Sequence, residues 1–454
     1  MPTHRTPNAK LRSWLDRAGW TGDQLARAIN DLGGEAGIAL RYQRASVAQW
    51  LAGMRPRPPV PHLIAEAFSR HLGRPVTVTD LGLESTLAGM PPSAPCWTLE
   101  AAATLLDVTL PAAQPPAADG RRAYSVAALA VPYWAEVSSL SLRDRTALSA
   151  PPSVSRADVQ DAGTMLRLFS DADLMFGGGR VRQALTAYLR STIAPWLGAD
   201  SRPAVRRELL ATAAQLSYLC GFVFFDDELH GTAQRYYLTS LRLAAEAGDS
   251  VGYVLALRAL SVQAGQLGHH SEAVDLAEMA VWTAPKQIPP NVRAFLLGQL
   301  SVARAARGDR RTALMALTAA ERQLAQAEKY ESSVGVYHSA SLAHQQAATT
   351  ASFGDKITAI RLLETSLRRR PTNERRSRLI TLATLAEHQA AIGRMEQSWQ
   401  TWHLFLDDYP LVNCRRANTA LRTMRARIRP HHGNPAARSL IVRAAELTSR
   451  TGAS

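Results

Sequence analysis

Three stretches decide the reading of this chain: Gly268-His-His-Ser-Glu-Ala273, Gly308-Asp-Arg-Arg-Thr-Ala313 and Gly354-Asp-Lys-Ile-Thr-Ala359. Each places a glycine five positions before a small residue. The frame continues forward to Gly393 and Ser398, and backward to Ala233, where Glu228 takes the glycine's place. The small residues Ala233, Ala273, Ala313, Ala359 and Ser398 are spaced by 40, 40, 46 and 39 positions. Four positions after each stands Tyr237, Ala277, Leu317, Leu363 or Trp402. Pro285, Pro371 and Pro410 follow their anchors by twelve positions. A turn residue, a small residue on the following helix and a proline that closes that helix describe antiparallel helix pairs. Repetition at this period means stacked units that bury a common core. The expected fold class is all-α.

Outward from these anchors, helical periodicity holds from residue 156 onward. Residues 156–176 and 180–197 read as an atypical leading pair, and 417–429 and 436–449 as capping helices. A chain of 454 residues is too long for one compact core. Its 46% hydrophobic and 6% aromatic content suits an Ala- and Leu-rich helical protein. The net charge of +14 favours polyanions without choosing among them. Residues 1–83 hold 11 Lys and Arg against 6 Asp and Glu, and residues 366–429 hold 13 against 5. The second excess reads equally as a solvated face. Cys96, Cys220 and Cys414 are distant and odd in number, so neither a disulfide framework nor a zinc site is expected. No apolar run is read as a membrane span. Arg121-Arg122 before an apolar stretch reads as a buried helix rather than a targeting signal. The setting expected is cytoplasmic.

Before the repeats, residues 84–120 are rich in Pro, Ala, Ser and Gly and read as a mobile linker, with a short helix near 99–106. Residues 121–150 read as one or two helices. The first 83 residues have their own pattern. Residues 9–18 carry Leu11, Trp14, Leu15 and Ala18 at helical spacing. Thr21 and Gln24 form a capping-box pair opening a second helix, whose buried stripe is Leu25, Ala26, Ile29 and Leu32. A third helix at 45–52 sets Arg44, Ser46 and Gln49 against apolar Val47, Trp50 and Leu51. A fourth, 61–72, buries Ile64, Ala67 and Phe68. The major groove of DNA admits one helix, and Arg and Gln can read base edges there.

The repeat frame resembles the tetratricopeptide repeat over about residues 200–412, with a longer period than usual. The N-terminal motifs Gln24-Leu-Ala-Arg, Ser46-Val-Ala-Gln-Trp-Leu-Ala-Gly and Ile64-Ala-Glu-Ala-Phe resemble the lambda-repressor-like helix-turn-helix of the Xre group. They look similar to the form found in actinobacterial regulators carrying tetratricopeptide repeats. The resemblance implies that the third helix is the recognition helix. Arg44, Ser46 and Gln49 would then face bases, with Gln24, Arg55 and Arg57 nearer phosphates. One departure stands out. About a dozen residues, including Gly33, Gly34 and Gly37, separate the second and third helices, where a turn of about four is usual. They either lengthen the second helix and add a loop, or tilt the recognition helix.

No phosphate-binding loop or dinucleotide fingerprint is present, and no cofactor or metal is expected. Gly177-Gly178-Gly179 before a helix reads as a hinge ahead of an anion site. His269-His270 and His431-His432 read as solvated loop histidines, and Asp226-Asp227-Glu228 and Asp407-Asp408 as solvated turn acids. First helices of the pairs offer Tyr218, Phe222, Arg258, Gln299, Arg304, His344, Gln345 and His388 to a concave face. Such a face suits a peptide carboxylate or a protein partner. The domains drawn are 1–83, helix-turn-helix; 84–155, linker; 156–430, the tetratricopeptide-like α-solenoid; and 431–454, a capping helix and tail. The expectation is a non-enzymatic regulator that binds double-stranded DNA, senses a peptide or protein on its repeats, can form a homodimer and has no membrane partner. The alternative is an adaptor that acts through protein contacts alone.

Overall fold

The computed structural model describes residues 6–83, 101–109, 123–138, 153–327 and 337–451. Among these the regular structure is helical throughout, with no strand. The order begins α1 (Ala9–Arg17), α2 (Gly22–Glu35), α3 (Arg44–Leu51) and α4 (Val60–Leu72). Next come α5 (Ala101–Thr109), α6 (Trp134–Val137), α7 (Arg156–Phe176), α8 (Gly178–Tyr188) and α9 (Ala194–Gly198). Five pairs follow: α10 (Pro203–Asp226) with α11 (His230–Ala247), α12 (Ser250–Gln266) with α13 (His270–Thr283), α14 (Pro290–Ala306) with α15 (Arg310–Ala325), α16 (Ser339–Ser352) with α17 (Lys356–Arg369), and α18 (Arg375–Ala391) with α19 (Met395–Asp408). Helices α20 (Arg415–Ile428) and α21 (Pro435–Thr451) come last. Contacts group the chain into two compact units. The first holds the chain up to Val154 with Leu189–Gly221 and Leu229–Met279; the second holds Ser155–Tyr188, Phe222–Glu228 and the chain from Ala280 onward.

The repeat frame is visible atom by atom. Gly268, Gly308, Gly354 and Gly393 have φ of +87°, +82°, +84° and +81°. Glu228, which precedes the first anchor Ala233, has φ +55° and is the one non-glycine residue with positive φ among the described residues. Left-handed backbone at this position ends the first helix and reverses the chain. In two pairs the next residue caps the second helix: Asp309 accepts from Thr312 N–H and Asp355 from Thr358 N–H. The small anchors are buried, Ala233, Ala313 and Ala359 fully so. Hydroxyls lock helices across the close contact: Ser261 Oγ donates to the Ala273 carbonyl at 2.6 Å and Ser398 Oγ to that of Ala386 at 2.8 Å. The longer spacing of 46 falls where α15 and α16 are joined by residues 326–338.

In the first unit, α1 to α4 enclose a core of Leu11, Leu25, Ile29, Val47, Trp50, Leu63, Ile64 and Phe68. The capping box at Thr21 and Gln24 forms as its residues imply. The short helix read near 99–106 is present as α5, but where the stretch read as a mobile linker is described it is packed on neighbouring helices. Helix α5 packs on α9 and α11, with Asp107 paired to Arg235 at 2.7 Å. Ser125 exchanges two backbone hydrogen bonds with the Gln234 side chain, at 3.0 and 2.8 Å. Tyr253 donates to the Pro132 carbonyl at 2.5 Å, and Trp134 stacks edge-on against its ring. Composition hid these anchors, because each is a single polar or aromatic residue in an Ala- and Pro-rich stretch. The remaining residues of 84–155 lie outside the described set, apart from Ser153, Val154 and Ser155.

Helix α10 departs from the reading that no segment suits a membrane. It is 24 residues long with a mean hydropathy of 1.4 over its most apolar window, enough to cross a membrane by length and composition alone. Two thirds of that window is buried, as in a core helix: the share is 67%.

Candidate nucleic-acid interface and repeat interior

The added residues between the second and third helices lengthen α2 through Glu35 and then form a pinned loop. Asn30 clasps Tyr42 with two bonds, Nδ2 to the carbonyl at 2.9 Å and Tyr42 N–H to Oδ1 at 2.8 Å. Ile38 N–H donates to the Gly33 carbonyl at 2.7 Å. Tyr42 meets Trp50 edge-on, 5.1 Å between centroids, so the loop and α3 share one core. Glu35, at the end of α2, takes both terminal nitrogens of Arg70 at 2.9 and 2.8 Å.

Helix α3 therefore has a fixed inner face, Val47 and Trp50, and an exposed outer face. At 3.6 residues per turn, Arg44, Ala48, Ala52, Ala45 and Gln49 sweep about 140° of arc. All five are exposed. Arg44 and Gln49 stand at the two rims, with alanines between them. Arg55 and Arg57 follow on the exposed chain after α3, and no ion pair engages Arg44, Arg55 or Arg57 among the described residues. Two of the six expected contact residues have other work. Gln24 Oε1 accepts from the Thr21 N–H at 2.8 Å, and Ser46 Oγ, half-buried, accepts from the Gln43 N–H at 3.5 Å. Both sit at the third position of their helices, where they cap the N-terminus.

Behind this surface, α4 is anchored to the repeats of the same unit. Glu66 is 3% exposed and bonds His269 Nε2 at 2.8 Å and Arg70 Nε at 2.8 Å. Tyr124 stacks on His269 at 5.5 Å. Burial, with the Glu66 charge nearby, holds the Tyr124 phenol well above its ordinary range. His269 was expected in solvent; it is 2% exposed. Its position in a repeat turn gave no sign that a helix 200 residues earlier in sequence would cover it.

Each expected repeat residue has its own neighbours. Tyr218 is buried against Tyr237, and Arg258 is half-buried on α12. Arg304 reaches Asp309 at 3.3 Å in its own turn. Gln345 accepts from Tyr337 at 2.6 Å and fills the space over Gly298, one position from Gln299. His344 lies 3.3 Å from Thr381 Oγ1. Burial, then the nearby Arg370, Arg416 and His388 charges, push its imidazole down to about 4. Burial also lowers His388. Phe222 lies under the Arg376 guanidinium, 4.4 Å from the ring centre.

That arginine marks what the sequence reading missed. Asp226 and Asp227 are 0% and 3% exposed, not solvated turn acids. Asp226 pairs with Arg376 and Arg416, each at 3.0 Å, and Asp227 with Arg182. Asp173 on α7 lies 3.3 Å from Arg376 Nε, and burial pushes it up to about 6 against the pull of that arginine. Three carboxylates and three guanidiniums thus tie α7, α8, the tip of α10, α18 and α20 together. The acids at Asp407 and Asp408 are likewise paired, with Arg443 at 2.5 Å and Arg378 at 2.8 Å. Beside the cluster, Gly177 and Gly179 are packed against Asn413. Gly179 N–H donates to the Asn413 carbonyl at 2.9 Å, and Asn413 N–H to that of Phe176 at 2.7 Å. A Cβ on Gly177 would meet that Asn413 oxygen at 2.7 Å, so glycine permits the approach.

A family profile described as the SP15 N-terminal domain matches residues 11–84. Among solved structures, the chain is similar to one from the crystal structure of the APC/C hetero-tetramer Cut9–Hcn1. The two share 16% identity and a TM-score of 0.34 over 79% of this chain and 62% of that one. The chain thus spans under two thirds of that protein's length. No curated protein matches it.

Proposed function

We propose that the protein is a DNA-binding regulator. Helix α3 reads double-stranded DNA and the repeats receive a protein or peptide partner. The observation that carries the reading is the outer face of α3: an arginine and a glutamine at its rims, alanines between, and two exposed arginines just beyond. Alanine leaves room for close approach and can meet thymine methyl groups, while Arg and Gln pair with guanine and adenine edges. Arg55 and Arg57 suit phosphates, which position without specifying. Helix-pair arrays of this kind serve as protein-interaction scaffolds.

The Glu66–His269 contact supports a direct route between the two activities. A partner that shifts α12 or α13 would act on α4 through a buried pair, without signalling along residues 84–120. A cytoplasmic setting belongs to the same proposal. The test is fluorescence anisotropy of the full chain on duplexes selected from a random library. Sequence-dependent binding lost in Gln49→Ala supports the reading; failure to enrich any sequence sinks it and leaves the adaptor alternative.

A further inference from the structure

Several arginines of the second unit pair with acids, among them Arg370 with Glu374, Arg376 with Asp226 and Arg378 with Asp408. One stretch concentrates arginines with no acid of its own in the sequence. From Tyr409 to Ala445 the sequence has eight arginines and no Asp or Glu. Arg416 is held by Asp226 and Arg443 by Asp407. The other six, Arg415, Arg422, Arg425, Arg427, Arg429 and Arg438, are exposed.

Helix α20 arranges them. Its apolar side, Ala417, Leu421, Met424 and Ile428, lies in the core with α19 and α21. On the flank beside that face Arg415, Arg422, Arg425 and Arg429 share one stripe about 21 Å long, from the 1.5 Å rise per residue. Among the described residues no carboxylate pairs directly with Arg422, Arg425, Arg427 or Arg429; Arg422 donates to the Thr419 hydroxyl at 2.8 Å, which itself donates to Glu228 at 2.8 Å, so acids neighbour only the Arg415–Arg422 end of the stripe. Like charges at this spacing repel one another unless a polyanion is present.

We propose that this stripe is a second, sequence-independent contact for the phosphate backbone of double-stranded nucleic acid. The guanidinium fork pairs two-pronged with phosphate oxygens. A duplex carries a charge about every 1.7 Å of axis, so a ~21 Å stripe faces on the order of a dozen phosphate charges. A helix lying on a membrane inserts an apolar face, and that of α20 is already buried. The stripe holds no exposed large apolar residue that would anchor a peptide. The inference does not rest on the reading of α3.

The test uses the full chain and a labelled random-sequence 30-base-pair duplex between 50 and 200 mM salt. Arg422→Gln/Arg425→Gln/Arg429→Gln should make the log–log salt slope shallower by roughly 0.9 per lost contact. For three contacts the affinity drop across that range shrinks by roughly 40-fold. Because these side chains are exposed, the thermal melt should not move, which separates lost contact from lost fold. A second variant, Arg55→Gln/Arg57→Gln, reports on the phosphate contacts proposed just after α3. If only this variant changes the slope, the stripe is no DNA contact, while the proposed function survives. If only the α20 variant changes it, the stripe stands and Arg55 and Arg57 are no phosphate contacts. Phosphatidylserine vesicles and polyglutamate are run alongside. Arginine-dependent binding to either, without binding to the duplex, overturns the proposal, as does an absence of duplex binding.

Discussion

Replacing Arg376 by methionine keeps the length of the side chain and removes the one cation shared by Asp173 and Asp226. Asp226 retains Arg416 at 3.0 Å; among the described residues Asp173 has no other ion pair and its Oδ1 no hydrogen-bond partner. At 2% exposure Asp173 is shielded from water. Breaking a buried pair by removing one partner costs about 3–5 kcal/mol, because the remaining charge is stranded. For a unit of this size that corresponds to a fall in melting temperature of roughly 6–20 °C. The loss should depend on pH with a definite sign. Asp173 already titrates near 6 with Arg376 present, and without it the folded-state value rises further. A carboxyl whose folded value lies above its unfolded value near 3.8 contributes nothing unfavourable below that value and destabilises increasingly as pH rises. The deficit of Arg376→Met should therefore be large at pH 7.5 and shrink toward pH 4.5. Arg376→Met/Asp173→Asn should recover more than half of it at pH 7.5, since the stranded charge is gone. Calorimetry of the full chain gives both quantities. A deficit under about 1 kcal/mol at pH 7.5, or one that asparagine fails to reduce, would show that the cluster does not hold the unit together as argued.

Three further outcomes follow from packing and titration. Ala313→Trp, at a fully buried anchor between α14 and α15, should destabilise the second unit by at least ~1–3 kcal/mol, read from its melt; an unchanged melt refutes the close approach. His344, lowered to about 4 from 6.5, binds its proton more readily when unfolded, so stability should rise with pH across that interval and lose this slope in His344→Gln. A slope identical in both proteins assigns it to other groups. His269→Ala leaves Glu66 with Arg70 alone and should raise hydrogen exchange along α4, while protection of α14 to α19 stays as it was. Unchanged exchange on α4 means that the contact is not what anchors the helix.

What could be read from the residues was periodic. Glycine, a small residue and proline recur in a fixed frame, and each acts locally: a reversal, a close approach, a stop. Even the exception, Glu228, keeps its place in the frame and adopts the left-handed backbone that the glycines supply elsewhere. The N-terminal helices were legible for the same reason, from Thr21 and Gln24 capping and from apolar stripes. Pairings between distant residues were not legible. Asp173, Asp226 and Arg376 come together from three helices far apart in sequence. Nothing in the neighbourhood of Asp226-Asp227 distinguishes a solvated turn from a buried clasp. His269 and the glycine run at 177–179 misled in the same way: their partners, Glu66 and Asn413, stand some 200 residues away or more. The pairing of Arg304 with Asp309 in its own turn was not legible either.

The most direct test of the central claim compares two side chains on α3 against two kinds of DNA. On a duplex selected by the full chain, Arg44→Ala and Gln49→Ala should each cost about 1–3 kcal/mol, while affinity for random duplex stays nearly constant. Equal losses on selected and random DNA, or binding indifferent to salt between 50 and 200 mM, would contradict the claim that this helix reads bases.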